Sequence, residues 1–332
     1  MSLRAKCALL PVLALAGLLA VPAWLTAAPD AASGQKAAAA GLSFRLDDDA
    51  HGAPATQAEP APAKSLSKLS VRLYGAYSHI GASDVNKGAR GLYDLFALYD
   101  ALGVGSAIGE YEQTHGGADF GADVIYQISP RFGVGLGAGY MRNGNDPLMA
   151  VAVSSMAAIL TGGPTLSAVP VRLGVFGSFP VSGKLDLTAN AGGAWYAGLK
   201  LAARERVDLG SGEWSEVNIT GSRSGFANLG FQGALGLEYK VSRTMGLFVE
   251  AEGRYARFKN FDSVTRTATA STGESETYAG HLYIETSTFP EGSYSVFFVS
   301  QTPPLSTPTT IYEDMKIDLS GFALRAGVHI RF

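Results

Sequence analysis

The sequence predicts an all-β fold, an eight-stranded antiparallel up-and-down barrel, and three observations carry that reading. Beyond residue 68 the apolar side chains recur at every second position over segments of about ten residues, the period of strands with two unlike faces. Three tight turns alternate with four long connections. Glycine is abundant, 41 of 332 residues, where about 7% is usual, and it follows no G-X-Y period. The rest of the composition, 47% hydrophobic and 17% charged, is that of a folded chain. A formal charge of −3 gives no basic field for a polyphosphate, so no nucleic-acid partner is expected. Cys7 is the sole cysteine, which excludes an internal disulfide and a cysteine-ligated zinc.

The amino terminus reads as an address. Arg4 and Lys6 precede an apolar run from Cys7 to Leu25, broken by Pro11 and Pro22 and followed by Thr26, Ala27 and Ala28. A basic start, an apolar middle and a small-residue exit define a secretory signal, here residues 1–27. Residues 28–67 are rich in Ala, Pro, Gly, Ser and Asp without a structural period. Such a segment cannot bury enough apolar surface to offset its ordering entropy, so it is expected to be a flexible periplasmic linker. The folded domain is then residues 68–332.

The strands follow in order. Leu69, Val71, Leu73 and Tyr77 alternate with Arg72 and Tyr74. Phe120, Ala122, Val124, Tyr126 and Ile128 alternate with Gly121, Asp123 and Gln127, and after a turn at Ser129-Pro-Arg131 the next strand sets Phe132, Val134, Leu136, Ala138 and Tyr140 against Gly133, Gly135, Gly137 and Gly139. A second hairpin joins Val169 to Val175 with Leu185 to Tyr196 through Pro180-Val-Ser-Gly183. A third joins Leu229 to Tyr239 with Leu247 to Tyr255 through Val241-Ser-Arg-Thr244. The last strand, Phe322 to Phe332, sets Leu324, Ala326, Val328 and Ile330 against Arg325, Gly327, His329 and Arg331.

An even strand count, with short turns at one end and long loops at the other, is the layout of an outer-membrane barrel. A soluble lipocalin-like barrel would instead put its apolar side chains inside. Two features favour the membrane: the apolar faces carry no charge at the strand centres, and Tyr126, Phe132, Tyr140, Phe179, Trp195, Tyr239 and Tyr255 gather near strand ends, where amphipathic rings suit the lipid–water boundary. The short turns are then periplasmic and the long loops extracellular.

Val328-His-Ile-Arg-Phe332, a terminal Phe with apolar residues two and four positions earlier, resembles the C-terminal insertion signal of bacterial outer-membrane barrels. With the strand count and the glycine-rich hairpin, the chain is similar to the family of small barrels that includes the membrane domain of outer membrane protein A. The resemblance implies a Gram-negative envelope, contact with outer-membrane lipid and lipopolysaccharide, and handling by the barrel-assembly machinery through Val328, Ile330 and Phe332. Full-length members continue into a peptidoglycan-binding domain to which nothing after Phe332 corresponds, so cell-wall tethering is not carried over.

On the face opposite the apolar one lie Arg72, Asp123, Arg172, Asp186, Glu238, Glu250, Glu252, Arg254 and Arg325. An eight-stranded barrel has room only for its own side chains, and the glycines make space for these groups. Unpaired charge in so narrow a lumen is costly, so the arginines should pair with the carboxylates, either as a fixed lattice that plugs the barrel or as a gate that re-pairs to pass ions.

In the first long loop Leu92, Phe96, Tyr99 and Leu102 recur at helical spacing, a short amphipathic helix that caps the barrel or recruits a ligand. Met149 to Leu160 makes the second loop unusually apolar. In the fourth, His281 to Glu285 and Ser293 to Val299 form a candidate hairpin about Phe289-Pro-Glu-Gly292. It is read as a raised extension of the wall; were it to cross the membrane, the strands would number ten. Some small outer-membrane barrels modify lipid A, and His79 with Ser78 or Ser83, or His115 with Glu110 or Glu112, are rim residues of the right type; no spacing motif joins them. The functional expectation is an envelope-structural or surface-interaction role, without enzymatic activity, cofactor or metal, and with an extracellular ligand left open; the alternative is a porin-like conduit for small or apolar solutes.

Overall fold

The computed structural model describes residues 68–332 except 104, 154, 155, 224, 226, 260 and 262; the signal and linker expected at 1–67 lie outside the described residues. Eight antiparallel strands close into a barrel: β1 (Leu69–Ile80), β2 (Gly116–Gln127), β3 (Phe132–Gly144), β4 (Pro164–Pro180), β5 (Leu185–Leu209), β6 (Leu229–Lys240), β7 (Met245–Tyr255) and β8 (Gly321–Arg331). Each pairs with its sequence neighbours, and β8 returns to β1 along a register that runs from Ser70 opposite Arg331 to Ile80 opposite Gly321. The predicted eight-stranded barrel is therefore the observed one, and the loop-four hairpin adds no strands to it.

The three tight turns share one construction. In each, two successive backbone N–H groups donate to a single carbonyl: Ile128 and Ser129 to Phe132, Val181 and Ser182 to Leu185, Val241 and Ser242 to Met245. A serine holds the second place every time, and the Ser129 and Ser242 hydroxyls accept from the amides of Phe132 and Met245 at 3.1 and 3.0 Å. Serine favours such turns because its side chain substitutes for a backbone partner.

Alternation along the barrel is inside out. Leu73, Val124, Leu136, Leu173, Leu235 and Leu324 are among the exposed apolar residues, while Arg72, Asp123, Arg172 and Glu250 are buried. From Phe322 to Phe332 the outward band of β8 spans about 33 Å at ~3.3 Å per residue, about 25 Å once tilted by ~40°, which is the height of a membrane-facing apolar belt. Neither described helix is long and apolar enough to cross a membrane.

Above this band the pattern reverses. β5 continues far beyond Trp195, and at Gly198, where φ is +55°, it carries one extra residue: Ser167 and Val169 of β4 face Lys200 and Ala197. The left-handed conformation there suits glycine, and the resulting bulge shifts the alternation by one. Leu199, Leu201 and Ala203 therefore turn inward and are buried, whereas Lys200, Ala202 and Arg204 face out. The long loops complete this upper body. Strands 214–223, 263–270 and 275–289 pair outward from β5 in turn, and 275–289 also pairs with 292–300 and 310–314. On the other edge of β5 come 156–161, 148–153 and 105–108.

In the sequence the alternation of β5 is readable only to Tyr196, and most of these connections carry no strand signal. The continuation is hidden because the bulge breaks the period of two at the point where the outward residues change from apolar to polar.

Helices α1 (Ser83–Ala89) and α2 (Gly91–Ala101) pack against strand 292–300, and α2 also against strand 105–108. Val85 and Ala89 of α1 join Ile80, Leu166, Tyr196, Leu199, Phe258 and Ile284 in one apolar core. Of the expected loop-one stripe, Phe96 is buried, Leu92 and Tyr99 are partly so, and Leu102 is exposed. Their partners are Met149, Val151 and Leu160, so the apolar pieces of loops one and two bury each other. The fully enclosed member of α2 is Tyr93, off that stripe, whose hydroxyl donates to the carbonyls of Pro147 and Gly162 at 3.1 and 3.0 Å.

Candidate functional site

The chemistry-bearing side chains of the barrel meet on its axis. All nine charged residues expected on the inward face, Arg72, Asp123, Arg172, Asp186, Glu238, Glu250, Glu252, Arg254 and Arg325, are buried. Arg72 reaches Glu250 at 2.6 Å, Arg172 reaches Asp123 at 2.9 Å, and Arg325 pairs with Glu252. Thr188 also donates to Glu250, at 3.0 Å. The guanidinium of Arg72 lies 3.7 Å from the Phe248 ring centre, and the ring of Tyr74 takes Arg172 at 4.8 Å and Arg325 at 4.5 Å. Rings suit these positions because their negative faces stabilise a cation that has lost water.

Three pairings involve residues outside the expected charge network. Arg254 bonds Asp119 at 2.7 Å, and Asp119 also accepts from Ser78 at 3.0 Å. Asp186 takes Lys240 at 2.6 Å and Ser178 at 2.8 Å. Glu238 takes His329 at 2.8 Å together with Arg331. Asp119 was missed because β2 begins at Gly116, ahead of the clear alternation that starts at Phe120. Lys240 stands at a strand end, where a charge reads as solvated, while His329 and Arg331 share the inward face of the last strand with Arg325 but lie outside the expected network.

Glycine provides the room. A Cβ added at Gly137 would collide with the Asp123 carboxylate and stand 3.0 Å from Nη2 of Arg172; one at Gly236 would strike Glu250. The space beside Arg172 and Asp123 measures about 10 Å3, no more than one water requires. Over the network sits the apolar core built on Tyr196, Leu199 and α1.

The rim candidates for catalysis are divided between faces. Ser78 is buried in the lumen beside Asp119 and Asn143. His79 instead stacks between His115 and Phe322, with ring centres 4.9 and 5.0 Å apart. The His115 ring meets the Ile80 carbonyl at 2.8 Å and Gln113 at 2.6 Å. Val328, Ile330 and Phe332 share the outward face of β8 and its end, and the Phe332 amide donates to Leu69.

An apolar exterior around a filled, ionised interior is the arrangement of a membrane-spanning barrel of the outer-membrane type. The chain matches no family model and no curated protein. Among solved structures it is similar to the outer membrane protein OprG from Pseudomonas aeruginosa, with a TM-score of 0.31, 9% identity, and coverage of 80% of this chain and 97% of that one. It is also similar to a major outer membrane protein from Thermus thermophilus, at 0.31, 11%, 80% and 99%, and to the outer membrane protease OmpT from Escherichia coli, at 0.24, 9%, 82% and 99%. Likenesses so remote add nothing to what the chain's own geometry carries.

Proposed function

We propose that this protein resides in the outer membrane of a Gram-negative envelope as a sealed barrel, and that its folded outer body is the working surface of an envelope-structural or surface-interaction protein. The observation that carries the reading is the double closure of the axis: an ion-pair lattice within the membrane band and an apolar core above it. Residues 1–27 direct export, the short turns face the periplasm together with the linker, and the long loops face outward. Val328, Ile330 and Phe332 serve insertion by the barrel-assembly machinery. No catalytic role is assigned, because Ser78 and His79 point to opposite sides of the wall.

The ion-pair lattice is read as structural. A buried pair contributes little over an apolar plug, yet breaking one costs about 3–5 kcal/mol through the charge left behind, so each member is held by its neighbours. Loops one and two bury Phe96, Met149, Val151 and Leu160 against each other while Leu102, Ile108, Leu148 and Ile159 stay exposed, so what argues against a conduit for apolar solutes is the filled axis and not the loops. Planar-bilayer recording tests the reading. The purified protein is expected to give no unitary steps; reproducible steps that disappear on Arg72→Ala or Glu250→Gln would replace the plug with a gate.

A further inference from the structure

We propose that the outer face of the loop-four sheet is a docking site for a basic peptide, with a slot that takes a lysine or arginine side chain and Glu285 as the carboxylate that meets its charge. The proposal deepens the surface-interaction reading and rests on the outward placement of the outer body. Charge selects the partner. Residues 267–315 contain six carboxylates and neither lysine nor arginine. Glu313 is neutralised from α1 by Lys87 at 3.1 Å, whereas no described lysine or arginine pairs with Glu285 or with Asp314. An acidic surface left without counter-charge is complementary to a cationic partner and steers its approach.

Strand 275–289 runs down the middle of this sheet, between strands 292–300 and 310–314. Leu282 and Ile284 turn inward to the apolar core, so Glu285 turns outward, where it is half-buried. Its cross-strand neighbours are Val296 on one side and Tyr312 on the other. Two ring pairs border it along the strand: Phe298 and Tyr312 meet with centres 5.0 Å apart, and Phe289 and Tyr294 stack at 5.9 Å. Phe298 and Tyr294 stand two residues to either side of Val296, so about 13 Å of strand separates them. The short Val296 side chain is then the floor of a slot with aromatic walls. An alkyl stem fits over Val296, and the cation at its end meets the Glu285 carboxylate and ring faces that attract it. Ser287 donates to that carboxylate at 3.3 Å and the Tyr312 hydroxyl also bonds it, which fixes its position. Burial first, and then the Glu285 charge, holds the Tyr294 and Tyr312 hydroxyls above the ordinary phenol range, as befits a carboxylate that no cation masks. Asp314, opposite Tyr283, is the diagonal neighbour of Glu285 at roughly 7–8 Å. That is close to the ~7 Å between side chains two apart on an extended chain, so a peptide with alternate basic residues meets both carboxylates.

Fluorescence anisotropy with the protein in nanodiscs tests the site, using labelled Lys-Ala-Lys-Ala-Lys and Glu-Ala-Glu-Ala-Glu as probes and free spermidine as competitor. The basic peptide is expected to bind and the acidic one not. Glu285→Gln should weaken binding about tenfold, through the loss of one charge-assisted contact, and Tyr294→Leu about threefold, through the loss of a ring face. Val296→Phe should abolish it by filling the slot. Glu274→Gln removes the same charge from the far end of the strand and should change nothing. All four residues lie in the outer body, so every variant should keep the heat-modifiable mobility of the parent. Equal loss from Glu274→Gln and Glu285→Gln, or undiminished binding by Val296→Phe, would overturn the site. Spermidine that competes as well as the unlabelled peptide would overturn the choice of partner. Labelling of Glu274→Cys by an impermeant maleimide on intact cells separates this inference from the reading beneath it. A labelled protein that binds no basic peptide would defeat the site alone; an unlabelled one would defeat the outward placement, and the site with it.

Discussion

Arg72 and Asp123 stand directly opposite each other in the register of β1 and β2, yet they do not bond: Arg72 crosses to Glu250 at 2.6 Å and Asp123 holds Arg172 at 2.9 Å. These two ion pairs therefore tie strands that are not neighbours in the wall, whereas Arg325–Glu252 and Lys240–Asp186 join neighbouring ones, and the lattice braces the barrel across its axis as well as around it.

This bracing predicts an asymmetry between single and paired substitutions. Asp123→Ala alone should cost about 3–5 kcal/mol, because it leaves the Arg172 guanidinium buried without its carboxylate. Replacing both partners with apolar residues, Asp123→Leu with Arg172→Met, should recover most of that loss. Urea unfolding in lipid vesicles, followed by tryptophan fluorescence, measures the difference.

Space in the lumen makes a second prediction. Gly137→Val should yield no heat-modifiable species, since its side chain would collide with the Asp123 carboxylate. Gly253→Ala, at a glycine of the same barrel where an added Cβ meets nothing within 4 Å, should behave as the parent on the same gel.

Gly198 links the two bodies of the fold. Deleting it should turn Leu199, Leu201 and Ala203 outward, because the side-chain period of a strand is two. The lower barrel should still form and shift on heating, while the outer body becomes sensitive to protease. An outer body that stays resistant would show that the bulge does not set the reversal.

Glu205 gives the outer body a pH dependence. It lies in the upper part of β5, beyond the membrane band and near Tyr93 and Tyr111, and burial raises its carboxyl to about 7 against an opposing pull from Arg266. An acid whose folded pKa is raised favours the folded state while it is protonated, so its contribution is full below the ordinary carboxylate range and is lost as pH rises through about 7. Hydrogen exchange in α2 should therefore be slower at pH 5 than at pH 8, and Glu205→Gln should remove that part of the difference which is not the intrinsic exchange rate.

The barrel was legible in the sequence because its two faces differ so sharply: Val124 beside Asp123, or Leu187 beside Asp186, announces a strand and its sidedness together. Pairing was less legible. Arg72, Arg172 and Arg325 meet carboxylates from the expected set, but Arg254 meets Asp119, since cross-axis contacts depend on barrel stagger and not on adjacency. The outer body was scarcely legible at all. Its strands, such as Ser263–Ala270 with Thr265, Thr267 and Thr269 on one face, carry polar residues outward in the manner of an ordinary soluble sheet, and they gain meaning only once Gly198 has reversed the wall beneath them.

The central claim is that the wall turns its apolar residues to hydrocarbon. Spin labels at Val124, Leu173 and Leu235 in vesicle-reconstituted protein test it most directly, with a label at Ala202 as the water-facing reference. The account predicts high oxygen and low nickel-chelate accessibility at the first three and the reverse at Ala202. Nickel-chelate access at Val124, Leu173 and Leu235 equal to that at Ala202 would contradict it.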